Sequence, residues 1–132
     1  MVTLTCCVRR LPHLSHDAFD RHWRENHAAL IRRHADTLRI RGYVQTSSLP
    51  DPAVQERMRA SRGAEEAIYD GVATLCYDSL DDIWAVRQSP AGAAALREVM
   101  EDEARFVDLS KSRFWFGQDR IIIAPEVASS LE

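Results

Sequence analysis

Histidine is the side chain best suited to taking up and returning a proton near neutral pH, and the sequence of 132 residues holds five. Two of them stand out by position. At 100° per residue, Phe19, Trp23, Leu30, Ile31 and Leu38 fall within an arc of about 120°, as an amphipathic helix requires. With Phe19 as origin, His27 and His34 lie inside that arc, at about 80° and 60°. Such an imidazole is either a core residue satisfied by a carbonyl or carboxylate, or a proton-transfer group facing a ligand. About 10 Å along the helix axis separates the two, too far for both to bind one metal ion. His22 projects about 60° outside the arc and reads as surface. His13 and His16, in a turn before the helix, read as solvated. Desolvation against Trp23 lowers an imidazole pKa, and a nearby carboxylate raises it again. Asp108, just beyond the second apolar-faced helix, is the candidate carboxylate; its plainer reading is a turn residue at a helix end.

Aromatic side chains offer stacking surface for a flat ligand: Trp23, Tyr43, Trp84, Phe106, Phe114, Trp115 and Phe116. Most of these read equally well as core. Tyr43 and Gln45 share one face of a strand, which makes that face either the solvent side or a cavity lining.

The elements that must position these residues follow from periodicity. Residues 2–9 alternate as a strand, and Pro12 breaks it. Ser15 is placed to cap a helix over 15–37, with Asp17 in its first turn. A second strand is expected over 39–47. Residues 48–67 carry Pro50, Pro52 and Gly63 and read as a long loop, with a short helix over 52–60 as an option. The third strand is expected over 68–77. Ser79 and Asp82 form a capping-box pattern, and Ser89-Pro90 ends that helix and starts the next. Leu96, Val99, Met100, Glu103 and Phe106 give the latter one mostly apolar face. Residues 113–124 are the last strand region. The order is β-α-β-β-α-β, an α+β ferredoxin-like protomer with a four-stranded antiparallel sheet and helices on one face. The third and fourth strands are apolar on both faces, whereas a sheet covered on one side should alternate. A second copy of the chain is the economical cover, so a homodimer is expected.

Composition narrows the function classes. Acids exceed bases by three and the pI is near 5.9, which argues against a protein led by nucleic-acid phosphate contacts. No stretch approaches the ~18–20 apolar residues of a membrane span, and the N-terminus has no targeting pattern. Cys6, Cys7 and Cys76 make a poor disulfide framework and include no zinc spacing. The expectation is a single-domain cytoplasmic protein without a metal site, binding neither nucleic acid nor membrane. Sixteen Arg against one Lys suggests a GC-rich genome.

Several segments resemble, in order, the motifs of the EthD family of dimeric α+β barrel proteins. Phe19, Trp23, His27, Ala28 and Leu30 resemble its helical signature. Gly42-Tyr43-Val44-Gln45, Tyr69-Asp70-Gly71-Val72-Ala73 and Ser89-Pro90-x-Gly92 look like three further segments. Asp102-Glu103-x-x-Phe106-Val107-Asp108 looks like a fifth. The resemblance covers roughly residues 2–124 and delimits an EthD-like domain over 1–124, followed by a polar tail over 125–132. It implies protomers that pair sheet to sheet, with a pocket between helices and sheet. Some members of the family the chain resembles are small cofactor-free enzymes of aromatic polyketide pathways, including decarboxylases of anthraquinone-type acids, and others accompany ether-degrading systems in bacteria with no settled activity. His27 falls on the family's recurring His and Asp108 on its recurring Asp, which makes these two the expected catalytic pair. Trp23, Tyr43, Gln45, Trp84 and Phe106 are expected to bind an aromatic substrate, and His34 is structural or lines the pocket. Three readings stay open: a lyase or cyclase using His acid/base chemistry in secondary metabolism, a cofactor-independent oxygenase, and a binding protein without turnover.

Overall fold

A computed structural model describes residues 1–126. Four strands, β1 (Val2–Val8), β2 (Gly42–Ser47), β3 (Gly71–Tyr77) and β4 (Arg113–Gly117), form one sheet in the order β2-β3-β1-β4. Every pairing is antiparallel. The first helix runs without a break through α1 (His16–Arg21), a π turn (His22–His27) and α2 (Ala28–His34). Further on lie α3 (Pro52–Ala60), α4 (Leu80–Gln88) and α5 (Pro90–Glu103). This is the ferredoxin-like α+β arrangement, with α4 and α5 together filling the second helical position.

Capping chemistry sets the helix starts. Ser15 Oγ accepts from Ala18 N, Ser79 Oγ from Asp82 N and Ser89 Oγ from Gly92 N. Each satisfies a backbone donor that the helix itself leaves unpaired. Asp51 does the same for α3, so the 48–67 segment does contain the short helix.

The strand ends are shorter than periodicity suggested. The second strand starts at Gly42 rather than 39, because the helix is followed by a turn in which Leu38 N bonds His34 O and Ile40 N bonds Ala35 O. The third starts at Gly71 rather than 68, and Ile68 is exposed. The fourth ends at Gly117, opposite Thr3: only Val2 of β1 lies beyond that pair, so 118–124 have no length of β1 to pair with. Ile121, Ile122 and Ile123 stand in solvent. Of the expected polar tail, 127–132 lie outside the described residues.

The core divides in two. Cys6 and Val8 of β1 and Ala73 and Leu75 of β3 pack against Phe19, Trp23, Phe106 and Val107. Leu30, Ile31 and Leu38 pack against Val86, Ala95 and Val99 of α4 and α5. The period-2 alternation of the strands sends Thr5, Cys7, Thr74 and Val44 to the other face of the sheet, which no helix among the described residues covers. Val44 is 58% exposed there.

Candidate active site

Between the helices and the sheet lies a chamber of about 400 Å³, within the usual range for small-molecule sites of about 300–1,000 Å³. Its lining is mainly apolar, and its polar members include His27, Tyr43, Tyr77 and Glu103. Trp23 and Phe106 also contribute to the wall.

His27 is 4% exposed and is held by a carboxylate: its Nδ1 lies 2.8 Å from Oδ2 of Asp102. An ionised carboxylate only accepts, so Nδ1 carries the ring proton and Nε2 of the neutral imidazole is left with its lone pair. Burial lowers the His27 pKa, the hydrogen bond and charge of Asp102 oppose that, and the net shift is downward. A neutral imidazole at pH 7 can accept a proton. The other oxygen of Asp102 accepts from His22 Nε2 at 3.0 Å and Arg105 Nη1 at 3.1 Å. Burial pushes the Asp102 pKa up, but hydrogen bonds from His27 and His22 outweigh it, and the carboxyl is held below its ordinary value.

The π turn explains how one carboxylate meets both rings. Five residues along an α-helix correspond to about 500°, which would put His22 and His27 about 140° apart. The i→i+5 hydrogen bonding of a π turn brings residues five apart nearly into line. The turn is marked by Ala28 N bonding Trp23 O, an acceptor that also receives Gln45 Nε2 at 2.9 Å. His22 is therefore not a surface residue: its ring lies 4.6 Å from that of Phe106. A single π turn also sets back the phase of everything after it by about one residue, or 100°. His34 consequently leaves the sheet-facing arc and meets Glu98 on α5, with Nε2 2.8 Å from Oε2. It does not line the chamber.

The expected residues thus separate. His27, Trp23, Tyr43 and Phe106 come together on the chamber wall. Gln45 stands behind the wall, donating to Trp23 O and to Tyr43 Oη at 2.9 Å each. Trp84 lies elsewhere: α4 buries Ile83 and Val86, so the next position faces outward, where Trp84 is edge-on to Phe116 and beneath the Arg87 guanidinium. Asp108 does not reach His27. Its backbone N–H bonds Arg9 O beyond the end of β1, and its carboxylate accepts from Ser110 Oγ at 2.8 Å, beside a groove lined by Arg9, Arg10 and Lys111. Asp102 takes the place expected of it at the imidazole. His16 is not free in solvent either, since Nδ1 lies 3.0 Å from Asp70 Oδ1 and Nε2 3.2 Å from Ser48 O.

Two acids were missed. Asp102 continues the buried stripe of Gly92, Ala95 and Val99 along α5, and an acid ending such a stripe needs a partner. Glu103 lines the chamber, where burial and the Asp102 charge push its pKa up to about 7. The sequence signal was an acid on an apolar helix face.

Fold and site together define a ferredoxin-like α+β protein with a histidine-bearing chamber under its helices. More narrowly, the EthD domain family model matches residues 11–110, and the chain belongs to the EthD family. Solved structures agree on the fold. An ethyl tert-butyl ether D (EthD) family protein from Bacillus halodurans aligns at a TM-score of 0.60 and 19% identity, over 91% of this chain and 99% of that one. An EthD-like protein from Ralstonia eutropha aligns at 0.59 and 12%, over 94% of each chain. A dimeric protein of unknown function and ferredoxin-like fold from Bacteroides fragilis aligns at 0.56 and 11%, over 89% of this chain and 95% of that one. A search of curated protein sequences finds no match. No helix among the described residues is long and apolar enough to cross a membrane.

Proposed function

We propose that the chain is a small enzyme of the lyase or cyclase type, working without a cofactor on an aromatic, polyketide-like molecule held in the chamber. The observation that carries this reading is the pairing of His27 with Asp102 at the wall of an otherwise apolar cavity. Asp102 fixes the ring and its tautomer. The opposite nitrogen, Nε2, has no hydrogen-bond partner among the described residues and takes or returns the proton. In decarboxylation of a hydroxyaryl or β-keto acid, the ring takes up the substrate's acidic proton and returns it to the carbon that loses CO₂. In cyclisation or dehydration it removes one from an enolisable carbon. Trp23 and Phe106 supply ring faces for the substrate, and Tyr43, oriented by Gln45, meets a polar substituent.

The protomer works as a homodimer in this reading. The uncovered sheet face, with Val44 exposed on it, supports sheet-to-sheet pairing, and the Bacteroides fragilis protein of the same fold is dimeric.

The test is product analysis with hydroxylated aromatic acids and aryl β-keto acids, under air and under nitrogen. Equal conversion in both atmospheres is expected. Conversion that needs oxygen would make the protein an oxygenase, and saturable binding with no product would make it a carrier.

A further inference from the structure

We propose that Glu103 is a second catalytic residue of the chamber, a carboxylic acid that donates a proton to a ring ketone oxygen of the substrate, and takes it back from the enol or phenol, while His27 serves the adjacent carbon. This inference rests on the reading of the chamber as an acid/base site.

Asp102 and Glu103 are consecutive on α5, and successive helical residues point about 100° apart. The step divides them between two surroundings. Asp102 turns to His22 and His27 and is satisfied by them. Glu103 turns into the chamber, where its carboxyl meets no hydrogen-bond donor among the described residues.

The groups facing it come from every neighbouring element. Cys6 of β1, Tyr43 of β2 and Tyr77 of β3 each feel its charge. Arg87 of α4 and His27 of the π turn are the basic side chains on the same chamber wall. Burial pushes the Cys6 thiol and both tyrosine hydroxyls up to about 12, so none of the three is ionised at neutral pH. A partly buried carboxylate facing an apolar chamber with no partner is costly, and both desolvation and the Asp102 charge favour the protonated form up to about pH 7. A neutral carboxylic acid can donate a hydrogen bond and then a proton, which an ionised one cannot.

The step balances within the two residues. His27 Nε2 takes the proton from a carbon next to the ketone, and the C–H electron pair becomes a C=C bond. The C=O π pair then takes the Glu103 proton, giving the enol, an imidazolium and a carboxylate. Reversal returns both protons. The ligand implied is a hydroxylated or keto aromatic whose oxygen reaches Glu103.

Two measurements decide this. The first is the infrared spectrum of the protein at pH 6. A neutral carboxylic acid band that disappears in Glu103→Gln is expected, and a spectrum identical in the two proteins overturns the proposal. The second is deuterium exchange at the ring carbons of 1,3-dihydroxynaphthalene in D₂O, followed by NMR. Wild type should accelerate exchange, His27→Gln should fall to the buffer rate, and Glu103→Gln should lose about 10²-fold. The wild-type rate should decline as pH rises through about 7, and Glu103→Gln should lack that limb. Wild-type exchange in Glu103→Gln, with His27→Gln inert, overturns the role of Glu103 and leaves that of His27 standing. A wild-type protein no faster than buffer overturns the acid/base reading and the Glu103 proposal together.

Discussion

Oδ2 of Asp102 lies 2.8 Å from Nδ1 of His27, across a contact buried at both ends. The two residues stand 75 positions apart in sequence, so the pair exists only when α5 docks on the π turn. It couples the tautomer of the chamber histidine to helix packing, and its disruption should be felt in both chemistry and stability.

Asp102→Asn should move the His27 pKa further below its ordinary value, because the group that opposes desolvation is gone. An NMR titration of the ring protons checks this. Asp102→Ala, which leaves two imidazoles without their acceptor, should destabilise the fold by about 1–3 kcal/mol in denaturant unfolding.

Glu103 gives a pH signature. Its folded pKa, about 7, lies above the ordinary value of 4.5, so the folded state holds the proton more tightly. Its contribution is fully present below the unfolded pKa and is lost as pH rises through about 7. Glu103→Gln removes that loss. The melting temperature of the variant relative to wild type should therefore climb between pH 4.5 and 7, by the equivalent of about 2–3 kcal/mol. His27, with its lowered pKa, acts in the opposite sense, favouring stability above about 6.5. The comparison between variant and wild type isolates the carboxyl. A constant difference across the range would refute the assignment.

Gly71→Ala should disturb the chamber wall. A Cβ there would sit 2.6 Å from Trp23 Cζ3 and 2.7 Å from Thr46 O. The indole must shift, at a cost of about 1–3 kcal/mol for overpacking. The expected readout is a lower melting temperature together with altered Trp fluorescence.

Val44→Glu, on the uncovered sheet face, should convert a dimer to monomers in analytical ultracentrifugation. A carboxylate buried between two paired sheets has no partner there. A wild-type protein that sediments as a monomer would count against sheet-to-sheet pairing.

Much of the fold could be read from local signals. Ser15, Ser79 and Ser89 marked helix starts that their side chains do cap, and the alternation of Val2–Val8 matched a paired strand. The strand region over 113–124 was overextended because Ile121–Ile123 looks like strand, while pairing depends on the length of β1. In the site, His27 was legible because it lies on an apolar arc. His22 and His34 sit away from the positions that 100° per residue predicts for one shared reason: the segment between them contains a π turn. Asp102 was missed in favour of Asp108 because the contact is tertiary. The spacing of Gly92, Ala95, Val99 and Asp102 marks the acid that shares the buried stripe of α5, but not the imidazole it meets.

The most direct measurement of the central claim compares wild type with His27→Gln, both shown to be folded, for deuterium exchange into 1,3-dihydroxynaphthalene at neutral pH. If His27 is the proton-transfer group of the chamber, the substitution should cost about 10²–10⁴-fold while probe binding is retained. Exchange at the wild-type rate in His27→Gln would contradict the account.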